Sequence, residues 1–378
     1  MKKCVVVSDS FKGTVSSREI CEIAQRVIPR HFPACEVVCI PVADGGEGTV
    51  DCFIQAMGAQ RVEVTVTNAL GEKSAAAYAR IGELAIIEMA AAAGLPQVGA
   101  LRCPGTATTY GVGELIAHAV HSGCKRILLG LGGSATNDGG CGCAAALGVG
   151  FLDADGQSFV PVGDTLGRIA RIDTAKAEAL LRGVKLTIMC DVTNPLYGPT
   201  GAAYVFAPQK GADAEKVKSL DAGLRHFGDV IRSQLGIDVS RMPGAGAAGG
   251  MGAGCVALLG GTIQSGIDAV LDVTGFDRQL EGADLVITGE GRIDSQSAGG
   301  KVISGVARRT RAKGVPLIAI AGGIADSAGA VYDIGVSAMF STDRAALPVD
   351  MLGARSPGDY EATLSDIMSL IAIAERFA

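Results

Sequence analysis

VADGGEGTVD, residues Val42 to Asp51, stands between an alternating apolar segment, Val37-Val38-Cys39-Ile40, and a helical pattern at Val50, Phe53, Ile54 and Met57. It therefore falls where a strand hands over to a helix. Two carboxylates among three glycines, Asp44-Gly45-Gly46-Glu47-Gly48, are poor core material. Glycine lets the backbone approach a ligand, and a helix start offers unpaired N–H groups. Carboxylates there bind a cation or position a hydroxyl, while the N–H groups suit an anion. A simple helix cap by Asp44 would need neither a second acid nor three glycines.

Working outward, Cys4 to Val7 is a short β-branched run that reads as a buried strand, ending in Ser8-Asp9-Ser10-Phe11-Lys12-Gly13. Ser16-x-x-Glu19 forms a capping box before Ile20, Ile23, Ala24 and Val27. This βαβα opening predicts a parallel sheet. The pattern then changes. Val62, Val64 and Val66 alternate with polar residues, and the runs 73–81 and 84–89 flank Gly82-Glu83 like a hairpin. Further strands are expected at 126–131 and 185–190. Near Ala283 the first pattern resumes, at 284–288, 317–321 and 337–341.

The simplest architecture is an insertion. Residues 1–60 and 275–378 form a doubly wound sheet of five parallel strands in flavodoxin-like order. Residues 61–274 form a second, inserted α/β domain with a mixed sheet.

Composition narrows the function. The chain has 378 residues, 48% hydrophobic and 19% charged, enough for two domains. Its 54 glycines are about twice the average share, which predicts many tight loops. A net charge of −6, no long basic run, no Trp and 4% aromatics argue against nucleic-acid binding. The apolar run after MKK is too short for a signal peptide, and no run approaches membrane-spanning length. Eleven cysteines without metal-type spacing, and only four histidines, point to reduced thiols in a cytoplasm. His31, His118, His121 and His226 have no Ser or Asp motif attached and read as surface or packing residues.

Ligands of a doubly wound sheet sit beyond the carboxyl ends of its strands. Four polar loops are expected there: SDSFKG (8–13), ADGGEG (43–48), TGEGRID (288–294) and AGG (321–323). Together they offer Asp9, Ser10, Lys12, Asp44, Glu47, Glu290, Arg292 and Asp294. In the middle, GLGGSATNDGG (130–140) could wrap phosphate with its backbone at Gly133, and Ser134, Thr136, Asn137 and Asp138 could hold a metal or hydroxyl. CDVTNPLYGPTG (190–201) places Asp191 and Asn194 after a strand, although an Asx-turn before Pro195 explains Asn194 equally well. Lys210, beside Gly211, reads on its own as a solvated lysine. GAGAAGG (244–250) matches GxGxxG, but the polar, proline-ended segment before it is not a strand, so a dinucleotide site is not expected. A P-loop and the HRD and DFG elements of protein kinases are absent.

These loops, in this order, resemble the bacterial glycerate kinase family of the first class. The matching stretches are SDSFKG, PVADGGEGTVD, IEMAAAAGL, TTYGVGELI, GLGGSATNDGG, DVTNPLYGPTGA, PQKGA, PGAGAAGGMGAG, LVITGEGRIDSQS and GGK, from Ser8 to Lys301. Ala207 stands where a glycine is familiar, and Ser297 where threonine is often seen. The resemblance implies ATP-dependent phosphorylation of D-glycerate to 2-phosphoglycerate with Mg²⁺. It also implies a flavodoxin-like domain interrupted by a second α/β domain, with the active site in the cleft. Such chemistry needs a positioned hydroxyl, a base, cations against phosphate charge, and exclusion of water. Candidate base or metal groups are Asp44, Glu47, Asp191, Glu290 and Asp294, with Asp191 and Glu290 for the metal. Lys12, Lys210, Arg292 and Lys301 can neutralise carboxylate and phosphate oxygens. Ser10, Gly45, Gly46, Gly133, Ser134, Asn137, Asp138 and Asn194 complete the expected binding set. Two other classes stay open: an NAD-dependent hydroxy-acid dehydrogenase, motivated by GAGAAG, and a non-catalytic sensor of a small anion.

Overall fold

The structure, a computed structural model, describes residues 1–11, 14–42, 49–299, 302–345 and 355–377. In chain order its strands are β1 (Lys3–Ser8), β2 (Glu36–Pro41), β3 (Gln60–Thr67), β4 (Lys73–Ile81), β5 (Leu84–Glu88), β6 (Arg126–Gly130), β7 (Gly150–Leu152), β8 (Arg171–Asp173), β9 (Lys185–Met189), β10 (Thr262–Gln264), β11 (Leu285–Ile293), β12 (Leu317–Ile324) and β13 (Ala338–Ser341). The chain divides into two compact units, Met1–Ala43 with Ile267–Ala378, and Asp44–Gly266.

The first unit holds a five-stranded sheet in the order β2-β1-β11-β12-β13, parallel throughout. That is the flavodoxin-like order. Strand β1 is buried from Cys4 to Ser8 because both faces of the sheet are covered. Val5 and Val7 pack with Ile303 and Val306 of the helix Val302–Lys313, whereas Cys4 and Val6 pack with Ile20 and Val27 of the helix Ser17–His31 and with Tyr360 and Leu364. The expected capping box starts the helix Ser17–His31: the Glu19 amide donates to Ser16 Oγ (3.2 Å) and the Ser16 amide to Glu19 Oε2 (2.9 Å).

The second unit carries a mixed six-stranded sheet, β10-β9-β6-β5-β4-β3. β10, β9, β6 and β5 are parallel; β4 and β3 continue antiparallel through the hairpin at Gly82-Glu83. β7 and β8 form a separate antiparallel pair. The helix Thr49–Met57 packs on β4 and β5 and so belongs to this unit. A boundary near residue 60 would have left that helix with the first sheet, as its place after β2 suggests.

Two of the expected loops are strand. β11 runs on through Gly289-Glu290-Gly291-Arg292-Ile293 and pairs with β12 as far as Ile293 opposite Ile324, so TGEGRID and AGG are extensions of the sheet rather than turns. Their glycines serve close backbone approach. A Cβ on Gly289 would lie 2.2 Å from the Ile320 carbonyl oxygen, and one on Gly322 2.6 Å from that of Gly291.

Candidate active site

In the first unit the register aligns Ser8 with Pro41 and Gly289, and Glu290 with Ala321 opposite Ser341. The carboxyl ends of the five strands thus share one edge, as expected for a ligand-facing edge. Of the loops there, Lys12, Asp44, Gly45, Gly46, Glu47 and Lys301 lie outside the described residues. Ser10 follows Asp9, whose Oδ1 accepts its amide (2.7 Å), while the Asp9 amide donates to the Gly289 carbonyl (2.9 Å). Glu290 is buried and accepts the Ser297 hydroxyl. Arg292 is exposed. Asp294, expected among the catalytic groups, caps the short helix Ser295–Ala298: its Oδ1 accepts the Gln296 amide (2.8 Å).

The second unit repeats the arrangement. Glu88, Gly130, Met189 and Gln264 end β5, β6, β9 and β10 in register, so the segments that follow those strands leave from one edge. GLGGSATNDGG leaves β6 there and is buried almost throughout. Gly133 takes a left-handed φ of 74° and its carbonyl accepts the Leu95 amide (2.9 Å). Asp138 is fully buried and accepts four donors: the Thr109 amide and hydroxyl (both 2.8 Å) and the Gly140 and Gly142 amides (3.0 and 3.3 Å). Burial pushes its carboxyl up from the usual range, and these hydrogen bonds hold it back. Asn137 is buried with neither amide atom partnered.

Lys210 departs most from expectation. It is not solvated: at 2% exposure it is among the largest buried side chains. The 3-10 turn Pro208–Lys210 brings it inward, and its Nζ donates to Ser134 Oγ and to the Thr136 carbonyl, both at 2.7 Å. Burial drives its ammonium down to about 7, opposed by the charge of Asp138. Sequence alone could not distinguish a lysine turned inward from one beside a glycine on the surface.

GAGAAGG is no dinucleotide fingerprint, since residues 236–243, which lead into Gly244, are turn and irregular backbone rather than a strand. It is a close-packing element. Gly249 would place a Cβ 2.1 Å from the Thr136 carbonyl oxygen, and its own carbonyl accepts the Gly139 amide (3.0 Å). Gly254 would place one 2.1 Å from the Gly139 carbonyl oxygen. The two glycine segments therefore lock each other. Asn194 also holds structure: its amide donates to the Thr200 carbonyl (2.8 Å), and its carbonyl accepts the Gly246 amide (3.0 Å). Asp191 is exposed, and its Oδ1 accepts the Gly266 amide (2.8 Å).

A cavity of about 270 Å³ opens at the ends of β6 and β9. Gly133, Ser134, Asp191, Lys210, Ala247 and Ala248 are among its lining residues. Among the described residues no three His, Cys, Asp or Glu gather closely enough to hold a metal ion, and Glu290 and Asp191 belong to different units. The histidines pack as expected: His31 meets Ser365, His118 meets Tyr78, and His226 meets the Ile169 carbonyl.

Sequence reasoning missed Glu88. It ends β5 almost buried, at 9% exposure, and accepts the Val50 amide (2.6 Å) at the start of the helix after VADGGEG. The signal was available: an acid closing the apolar run LAIIE has to meet a donor.

The model of a family described as the glycerate kinase family matches residues 4–372. A glycerate kinase of Bacillus cereus is 45% identical over 377 residues, 99% of this chain and 99% of the relative. The glycerate 2-kinase of Escherichia coli K12 is 44% identical over 343 residues, 90% of each chain. A crystal structure described as that of a glycerate kinase 2 from Salmonella typhimurium LT2 superposes with a TM-score of 0.87 at 38% identity, covering 99% of both chains.

Proposed function

This chain belongs to the glycerate kinase family, and from that premise we propose that it transfers the terminal phosphoryl group of ATP to D-glycerate, with Mg²⁺, to give 2-phosphoglycerate. It is a glycerate kinase that uses a nucleotide; donor, metal and regiochemistry are the proposed part. The dehydrogenase and sensor readings lose their basis, because GAGAAGG serves packing and the likeness to kinases spans the whole chain.

Lys210 carries the reading. Burying an ammonium is costly unless something negative meets it. The ammonium has three hydrogens, of which Ser134 and Thr136 take two. A phosphate oxygen entering the cavity would take the third. Phosphoryl transfer asks the protein mainly for position and for charge against the transferring group. Lys210 supplies the charge, and the tightly packed loop 132–136 holds it in place.

The donor set suits Mg²⁺ rather than zinc. Mg²⁺ keeps several waters and needs one or two carboxylates beside substrate phosphates, and Asp191 lines the cavity with such a carboxylate. Bound there, the ion would neutralise phosphate charge. Asp44 and Glu47 are the proposed groups for positioning the glycerate hydroxyl and taking its proton. Lys12, Arg292 and Lys301 are proposed to meet carboxylate or phosphate oxygens. Asp294 and Glu290 more plainly hold the turn 294–298. The ten described cysteines are free, which supports a reducing cytoplasm as the compartment; among the described residues no helix is long and apolar enough to cross a membrane.

ADP release measured with D-glycerate, with and without Mg²⁺, followed by phosphorus NMR of the product, tests the proposal. Release that requires both, with phosphate on the middle carbon, is expected. ATP binding without glycerate-dependent turnover would overturn the enzyme assignment. Phosphate on the terminal carbon would overturn only the regiochemistry.

A further inference from the structure

We propose that the cavity at the ends of β6 and β9 is the subsite of the nucleotide, base included, and not that of glycerate. This rests on the kinase reading and makes it more specific. Glycerate carries an oxygen on every carbon, so its recognition calls for polar partners on all sides. This cavity instead presents Leu95, Leu131, Met189, Val192 and Phe206. Such a lining matches an aromatic heterocycle, as small-molecule sites with apolar walls and a few polar groups commonly do. A volume of about 270 Å³ also leaves a three-carbon acid loosely held.

The same cavity holds the groups that polyphosphate requires. Gly132, Gly133 and Ser134 line it with loop backbone, and Lys210 adds a buried cation. A second backbone feature converges there. Ala247 keeps a right-handed helical conformation, but Ala248 turns left-handed, at φ 52° and ψ 43°. Ala248 is the one non-glycine residue with positive φ among those described, and both alanines line the cavity. Successive right- and left-handed residues form concavities that bind anions, and the left-handed conformation is unfavourable for alanine. Strain of that kind persists where surrounding structure enforces it, and it clusters at ligand sites. Here the enforcement is visible, because Gly249 and Gly250 continue the left-handed turn against Thr136, Asn137 and Gly139. With no P-loop in the sequence, phosphates held by this crossing of two glycine segments is the arrangement the geometry offers.

Calorimetric titration of the full chain separates the substrates. The probes are ADP with Mg²⁺, inorganic tripolyphosphate and D-glycerate, against wild type, Val192→Asp and Lys210→Met. Val192 is 39% exposed, so an aspartate there is compatible with folding. Both variants are expected to weaken ADP at least tenfold and to leave glycerate within twofold. Tripolyphosphate, which has no base, should weaken only in Lys210→Met. Weakened glycerate with unchanged ADP would assign the cavity to the acceptor and overturn the proposal. Unchanged ADP affinity in a natively folded Val192→Asp would overturn it as well, even if Lys210→Met fails to fold. Absence of glycerate-dependent turnover in wild type would strike the kinase reading instead, and ADP titration would still judge the cavity.

Discussion

TGEGRID (288–294) and GLGGSATNDGG (130–140) look alike as sequence, each an acid-and-glycine segment after an apolar run, yet the structure builds them in opposite ways. The first is strand to Ile293, with Arg292 exposed and Asp294 capping a short helix. The second is a buried loop that holds Asp138, receives the buried Lys210 ammonium at Ser134 and Thr136, and is pinned by a second glycine segment. Glycine marks close backbone approach in both. What approaches differs: a neighbouring strand in one, and a locked loop beside a cavity in the other.

That contrast is sharpest in two glycines with the same φ of 67°. A Cβ on Gly249 would collide with Thr136 and Asn137 backbone, whereas one on Gly314 would meet nothing within 4 Å. Gly314→Ala is expected to cost about 1–2 kcal/mol, the left-handed penalty alone. Gly249→Ala adds overpacking against backbone and should exceed about 3 kcal/mol. Urea unfolding of both variants checks this, and equal losses would mean that the loop lock is not rigid.

Next in size is Lys210→Met. Losing one charge donor in an enclosed site should lower kcat/KM by about 2–4 kcal/mol of transition-state stabilisation, some thirtyfold to a thousandfold. Arg292→Met, at the one exposed position of β11, is expected to lose less. The reverse ranking in steady-state assays would move the charge-bearing site to the other unit.

Smaller effects belong to the carboxylates that hold helix starts. Glu88→Ala removes the acceptor for the Val50 amide and should destabilise by about 1–2 kcal/mol, with Glu88→Gln retaining most of the stability. Denaturation midpoints with constant slope would report it. Asp294→Asn keeps a competent cap, so stability should stay within about 0.5 kcal/mol and turnover within a few-fold. A loss of about a hundredfold in turnover would return Asp294 to the chemistry.

Much of the fold was legible because periodicity reports burial directly. The run Cys4 to Val7, the capping box at Ser16 and Glu19, and the alternation of Val62, Val64 and Val66 each led to the right element. Long-range pairing was not legible. Nothing local shows that β11 continues through the five residues Gly289 to Ile293, two of them glycine, because β12 lies beside it. Nor does local sequence assign the helix Thr49–Met57 to the second unit, since that follows from packing on β4 and β5 and from the Glu88 contact. At the site, Ser134 and Asp138 could be found as polar residues in a glycine loop. Lys210 could be named, but its burial depends on a turn 76 residues from Ser134.

The most direct test of the claim that Lys210 receives the phosphates is the pH dependence of kcat/KM for ATP in wild type, Lys210→Met and Lys210→Arg. With the ammonium lowered to about 7 in the native state, the unfolded chain binds more protons between pH 7 and the ordinary lysine range. Lys210 therefore costs stability below pH 7, and that cost is relieved as pH rises through this window. Activity should follow the opposite course. Wild-type kcat/KM should fall as pH rises through about 7, where the ammonium loses its proton. Lys210→Met should be low and flat over that interval, and Lys210→Arg should lack the limb because a guanidinium stays charged. A wild-type limb that persists unchanged in Lys210→Met would contradict the assignment of Lys210 as the phosphate-binding cation.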